Sequence, residues 1–163
     1  MKQLLLIRHA KSDWSAGQSD RERPLNDRGK RTVYGMAALV RDRIPEGTVV
    51  WSSPARRALT TARLFAATLG WEEKRIQVKE DLYTFDDSEL ESAISECPDE
   101  VESLLVFGHN EAITDLVNTF GDRLIVNVPT AGFVHLELPI TDWGLLRKGR
   151  TITTIFPKEH DIT

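Results

Sequence analysis

Hydrophobic positions along the chain follow two alternating rhythms. Leu4-Leu5-Leu6-Ile7 is an unbroken aliphatic run, the pattern of a strand covered on both faces as in a parallel sheet. Val33, Met36, Ala37, Val40 and Ile44 instead recur at helical spacing. Asn26 can cap that helix, and Pro45 with Gly47 ends it. Thr48 to Trp51 predicts a second strand. Ser53 then reads as an N-cap and Pro54 as the first residue of a helix whose inward stripe is Ala55, Ala58, Leu59, Ala62, Phe65, Ala66 and Leu69, closed by Gly70. A short strand at Ile76 to Val78 and an acidic helix from Asp87 to Glu96 follow. Leu104 to Phe107 is a second continuous apolar run, and Asn110 can cap a helix carrying Ile113, Leu116, Val117 and Phe120. Phe133 to Leu138 and Thr151 to Phe156 predict two closing strands, with a loose tail from Pro157.

Strands alternating with helices predict an α/β fold, a mostly parallel central sheet with helices on both faces. Ligands of such sheets sit just beyond the carboxyl ends of the strands. The segment from Lys11 to Pro24 is polar, with only Trp14 and Ala16 as apolar anchors. It reads either as one wall of a pocket or as a plain surface crossing.

A length of 163 residues suits one domain spanning 1–163, and 40% apolar against 28% charged residues excludes collagen, coiled coil and wholesale disorder. The aliphatic run at Leu4 to Ile7 is far short of a membrane span. With Lys2 before it and Arg8-His9 after it, the run also does not read as a secretory signal. Cys97 is the sole cysteine, so no intrachain disulfide can form, and the expected setting is a reducing, cytoplasmic one. Net charge is −4, which argues against nucleic acid as a partner. Ten of the 25 acids fall between Glu80 and Glu102, a stretch without Lys or Arg. The rest of the chain is therefore net basic and able to hold an anion, while the acidic stretch reads as a solvated helix face.

Candidate chemistry collects at the strand ends. Arg8-His9 directly follows the first strand, Arg56-Arg57 opens the helix after the second, and His109 directly follows the strand at Leu104 to Phe107. Singly, each could be a structural hydrogen-bonder or a solvated cation. Together on one rim they suit a phosphoryl group. Guanidinium forks grip phosphate oxygens, helix N-termini add N–H donors, and a neutral imidazole can take up phosphorus. Neighbouring arginines would lower the pKa of His9 and keep it unprotonated. No GxGxxG, GxxxxGK[ST] or GxSxG pattern is present, and no carboxylate adjoins His9 or His109 to complete a metal site.

These residues resemble the histidine phosphatase superfamily, branch 1, which includes phosphoglycerate mutases and SixA-type phosphohistidine phosphatases. Leu4 to Ala10 is similar to the family's strand and Arg-His-Gly motif, with Ala10 at the glycine. Arg8 to Ser12 with Arg23-Pro24-Leu25-Asn26-Asp27-Arg28-Gly29 resembles the SixA-like subgroup. Ser52 to Ala62 resembles the second motif, in the register that selects Arg57 and leaves Arg56 without a set role. Val106 to Asn110 resembles the motif bearing the second histidine. The resemblance implies a three-layer α/β/α sandwich of the phosphoglycerate mutase-like kind. It also implies His9 as nucleophile, Arg8 and Arg57 as phosphoryl clamps, His109 as a hydrogen-bonding partner of the phosphoryl group, and no cofactor. Lys11, Ser12 and Asn110 are further candidates for substrate contact.

One departure bears on substrate. Mutase-type members carry a glutamate after the third strand, and Leu82-Tyr83-Thr84 places Thr84 there, with Asp81 and Asp86 nearby as candidate proton donors. An alkoxide needs a donor to leave, whereas a phosphorylated imidazole leaves readily once its ring is protonated. The expectation is therefore hydrolysis of phosphohistidine on a partner protein. A small-molecule phosphomonoesterase or mutase, or a module that binds phosphate without hydrolysing it, remain as alternatives. His135 and His160 are expected to be structural or exposed, and Cys97 a minor packing residue.

Overall fold

The structure is a computed structural model that describes residues 1–14 and 17–162. The sheet holds β1 (Lys2–Arg8), β2 (Val49–Ser52), β3 (Ile76–Val78), β4 (Ser103–Gly108), β5 (Phe133–Leu138) and β6 (Arg150–Ile155). Their spatial order is β3-β2-β4-β1-β5-β6. β1, β2, β3 and β4 are mutually parallel, and β5 runs antiparallel to both β1 and β6. Four helices cover the sheet: α1 (Asp27–Val40), α2 (Arg56–Leu69), α3 (Asp87–Ser95) and α4 (Ala112–Phe120).

The continuous runs are buried on both faces because the helices divide between the two sides. Leu5, Ile7, Leu105 and Phe107 point into a core with Val33 and Met36 of α1 and Phe65 of α2. Their neighbours Leu4, Leu6, Leu104 and Val106 point the other way, toward Leu90 and Ile94 of α3 and Ile113, Leu116 and Phe120 of α4. The fold is the three-layer α/β/α sandwich of the phosphoglycerate mutase-like kind. Among the described residues, no helix is long and apolar enough to cross a membrane.

Two local expectations need correction. Ser53 does not cap α2: its N–H donates to Phe107 O (3.0 Å), so the chain is still extended there, and the helix opens at Arg56. The tail is not loose. Pro157–His160 form a 3₁₀ turn, Ile162 N–H donates to Pro157 O (2.9 Å), and the Ile162 side chain seats on Gly35. Asn26 does cap α1, its Oδ1 accepting from Gly29 N–H at 2.7 Å.

The base of the Lys11–Pro24 segment is pinned. Asn26 N–H donates to Lys11 O (3.0 Å), Asp13 N–H donates to Pro24 O (3.2 Å), and a Cβ on Gly29 would stand 2.2 Å from Lys11 O. Gly29 is therefore what allows α1 to start so close to the end of β1. Trp14 is no buried anchor, being 76% exposed and lying over the Arg23 guanidinium at 3.8 Å. Ala16 lies outside the described residues.

Candidate active site

Three strand ends and one helix start converge. Arg8 is the last residue of β1 and His9 the next, Ser53 follows β2, His109 follows β4, and Arg57 lies in the first turn of α2. The ladder continues past the strands, because His9 N–H donates to Gly108 O at 3.1 Å. This locks the two histidine-bearing turns together, and their rings lie 5.3 Å apart between centroids.

The backbone fixes which nitrogen of His9 can react. Nδ1 lies 2.7 Å from Ala10 O, and a carbonyl can only accept, so Nδ1 carries the proton. Nε2 keeps its lone pair and receives Arg57 Nε–H at 3.4 Å. The Ala10 peptide is itself held, its N–H donating to Thr61 Oγ1 (3.1 Å), whose hydroxyl donates to Arg57 O (2.7 Å). Burial, more than its arginine neighbours, pushes His9 down to about 3, with Arg57, Arg8 and Arg23 adding to the effect. His109 Nε2 lies 2.8 Å from Ser53 Oγ, while its Nδ1 is buried without a partner. Tyr83, Phe85 and His9 surround the His109 ring at 5.3 to 5.5 Å. Burial and the adjacent His9 take His109 down to about 2.

Two of the cations are also enclosed, while Arg8 is half-buried. Arg57 is 1% exposed and Arg23 is 8% exposed. Arg57 Nη1 donates to Asp20 O (2.7 Å) and Nη2 to Asp20 Oδ2 (3.0 Å). Arg23 Nε also donates to Asp20 Oδ1 (3.2 Å), and the Tyr83 hydroxyl donates to Oδ2. The hydrogen bonds from Tyr83, Arg57 and Arg23 hold the Asp20 carboxyl below the usual carboxylate range, outweighing its burial. Arg8 Nη1 donates to Val128 O at 3.0 Å, and its Nε is buried without a partner.

The structure therefore brings together His9, Arg8, Arg57 and His109. The remaining candidates are placed differently. Ser12 Oγ accepts from Arg23 Nη1 (3.0 Å), and Arg23 in turn reaches Arg57 only through Asp20. Lys11 lines a separate cleft of about 300 Å³ with Arg28, Thr32 and Lys158. Asn110 is committed to the protein: Oδ1 accepts from Thr114 N–H (3.1 Å), and Nδ2 donates to Asn127 and Val128. It sits one residue before the N-cap Glu111 rather than at the cap itself, and its side chain braces the first turn of α4 with both amide atoms spent. Asp86 caps α3, accepting from Ser88 and from Glu89 N–H, and those bonds hold its carboxyl low. Asp81 is exposed in an acidic cleft with Glu80, Thr84 and Glu89. Arg56 is exposed, and His135 bonds to Gln3 (2.6 Å). Among the described residues, no three His, Cys, Asp or Glu side chains are grouped to hold a metal ion.

Sequence reasoning missed Asp20, Tyr83 and Phe85 altogether, and it gave Ser53 a different task. Arg23 carried a signal, since it belongs to the Arg23-Pro24-Leu25 segment.

Two histidines and enclosed arginines at the carboxyl edge of an α/β/α sandwich define a phosphoryl-handling class of protein. The chain belongs to the histidine phosphatase superfamily (branch 1), whose sequence pattern it matches over residues 4–115, a span that contains all four converging residues. No curated protein matches the sequence. Among solved structures, it is similar to one assigned as the phosphohistidine phosphatase SixA of Agrobacterium tumefaciens, with 26% identity and a TM-score of 0.78. That alignment covers 96% of this chain and 98% of the other. A protein histidine phosphatase SixA complexed with tungstate shares the fold at 23% identity and a TM-score of 0.79, covering 97% and 99% of the two chains. A mycobacterial glucosyl-3-phosphoglycerate phosphatase shares it at 16% identity and 0.67, covering 94% and 98%.

Proposed function

We propose that residues 1–163 act as one histidine phosphatase domain that hydrolyses phosphohistidine on partner proteins through a phosphorylated His9. Membership of the superfamily and likeness to a structure assigned as SixA support a phosphatase. The observation that carries the reading is the Nδ1–H bond of His9 to Ala10 O, which leaves the Nε2 lone pair beside Arg57.

In the first step Nε2 attacks phosphorus, and the bond from phosphorus to the leaving nitrogen breaks. A substrate imidazole protonated on its far nitrogen departs as neutral imidazole and needs no further proton. In the second step a water oxygen attacks phosphorus, the bond to Nε2 breaks, and orthophosphate leaves while the water proton passes to solvent. Arg57 and Arg8 neutralise the phosphoryl oxygens throughout, and His109 donates to one of them.

The P–N preference rests on the proton ledger. Thr84 is a hydroxyl, Asp86 is tied to the N-terminus of α3, and the Asp20 carboxyl is held ionised by two arginines and a tyrosine. None of these is an acid poised near neutral pH. A panel comparing a phosphohistidine peptide with a sugar phosphate tests this: kcat/KM should favour the peptide by orders of magnitude. Preference for the sugar phosphate would overturn the substrate assignment while leaving the phosphatase intact.

A further inference from the structure

The two ring nitrogens of His109 stand in different surroundings. Nε2 lies 2.8 Å from Ser53 Oγ, while Nδ1 is buried with no partner among the described residues. Ser53 is fully buried, and its Oγ has one other neighbour, the Ala55 N–H at 3.2 Å. An N–H only donates, so Oγ accepts from Ala55 and its own proton needs a different acceptor. Among the described residues, the acceptor in reach is the lone pair of His109 Nε2. Burial keeps the ring neutral, so one nitrogen alone carries a proton. A proton on Nε2 would strand both the serine hydroxyl and the Nδ1 lone pair. A proton on Nδ1 strands that N–H alone, and a buried N–H without a partner calls for an acceptor.

We infer that Ser53 is the positioning residue of His109: its hydroxyl donates to Nε2, fixes the ring proton on Nδ1, and so reserves Nδ1–H for a phosphoryl oxygen. This rests on the reading of His9 as the residue that takes up phosphorus. The strand ladder keeps the parts in register. Ser53 N–H donates to Phe107 O (3.0 Å) and His9 N–H to Gly108 O (3.1 Å), so the serine and both histidines hang on adjoining strand ends. Both rings then carry their proton on Nδ1 and use opposite edges. His9 turns Nδ1–H to the Ala10 carbonyl and offers the Nε2 lone pair, whereas His109 turns its lone pair to Ser53 and offers an N–H. The partner of the far nitrogen thus makes one ring a nucleophile and the other a donor. In the opposite tautomer His109 would present a lone pair to an anionic oxygen, and the two would repel.

The test is two-bond nitrogen–proton NMR correlation on the labelled full chain near neutral pH, which tells a protonated ring nitrogen from a bare one. His109→Gln, in which the His109 signals vanish, assigns them. Wild type should carry the proton on Nδ1, and added inorganic phosphate should shift that N–H and leave Nε2 bare. In Ser53→Ala the Nε2–H form should appear, and kcat/KM for a small aryl phosphate should fall about tenfold. An unchanged tautomer in Ser53→Ala, or a changed one at full rate, would overturn the proposal. Should Ser53→Ala not fold, the wild-type spectrum decides, because a proton on Nε2 there overturns it outright. Phosphate that moves no His109 signal would instead end the phosphoryl-site assignment, with the serine–histidine bond still in place.

Discussion

Two regions of this molecule concentrate charge of one sign, and they treat it in opposite ways. The rim at the ends of β1, β2 and β4 encloses Arg57, 1% exposed, and Arg23, 8% exposed, and half-buries Arg8. The acidic stretch from Glu80 to Glu102 leaves its anions in water, where Glu80 pairs with Arg21 at the surface, and Glu102, itself exposed, meets the buried Lys2 ammonium. Enclosing a charge costs free energy unless partners offset it, whereas exposed ion pairs contribute about 0–1 kcal/mol. The difference separates cations that serve a site from anions that keep a helix solvated.

The sharpest way to break that contrast is to remove members of the rim. His9→Ala should lower turnover about 10³-fold or more, because the proposed covalent route disappears. Near-normal rates would end the assignment. Arg57→Ala, and separately Arg8→Ala, should each cost about 1.5–3 kcal/mol of phosphate binding through lost charge-assisted hydrogen bonds, and more in kcat/KM.

Acid should expose the enclosed rings next. An unfolded chain binds protons at the ordinary imidazole value of 6.5, while the folded one resists them down to about 3 at His9 and about 2 at His109. The unfolded state therefore binds more protons in between, so stability is full above about pH 6.5 and falls as pH drops toward 3, by about 1.4 kcal/mol per pH unit for each ring. Thermal melts across that window should show the decline, and His9→Asn should flatten it; a wild-type Tm indifferent to pH would contradict the burial account. The smallest effect belongs to the acidic stretch. Neutralising exposed Glu96 and Glu100 to Gln should shift stability by no more than about 0.5 kcal/mol each, and leave hydrolysis of a small aryl phosphate unchanged.

What the sequence made legible follows the same division. Arg8, His9 and His109 stand directly beyond apolar runs whose period and length announce central strands, and such ends are where α/β sheets bind ligands. Asp20 gave no signal, because it lies in a long polar loop and meets Arg57 only through tertiary folding. Ser53 was misread because Ser-Pro before an apolar stripe is the pattern of a helix start. The ladder bond from its N–H to Phe107 O keeps it extended, and its hydroxyl goes to His109. Ile162 was invisible because its seat is the bare face left by Gly35, a contact across the fold that no local pattern encodes.

The central claim is that phosphorus passes through the Nε2 of His9. The direct measurement is rapid mixing with a labelled phosphohistidine peptide, quenching in alkali and mapping the phosphorylated residue by mass spectrometry. The account predicts label on His9 that appears and decays within a turnover, and none in His9→Ala. Turnover with no label on His9, or label on another residue, would contradict it.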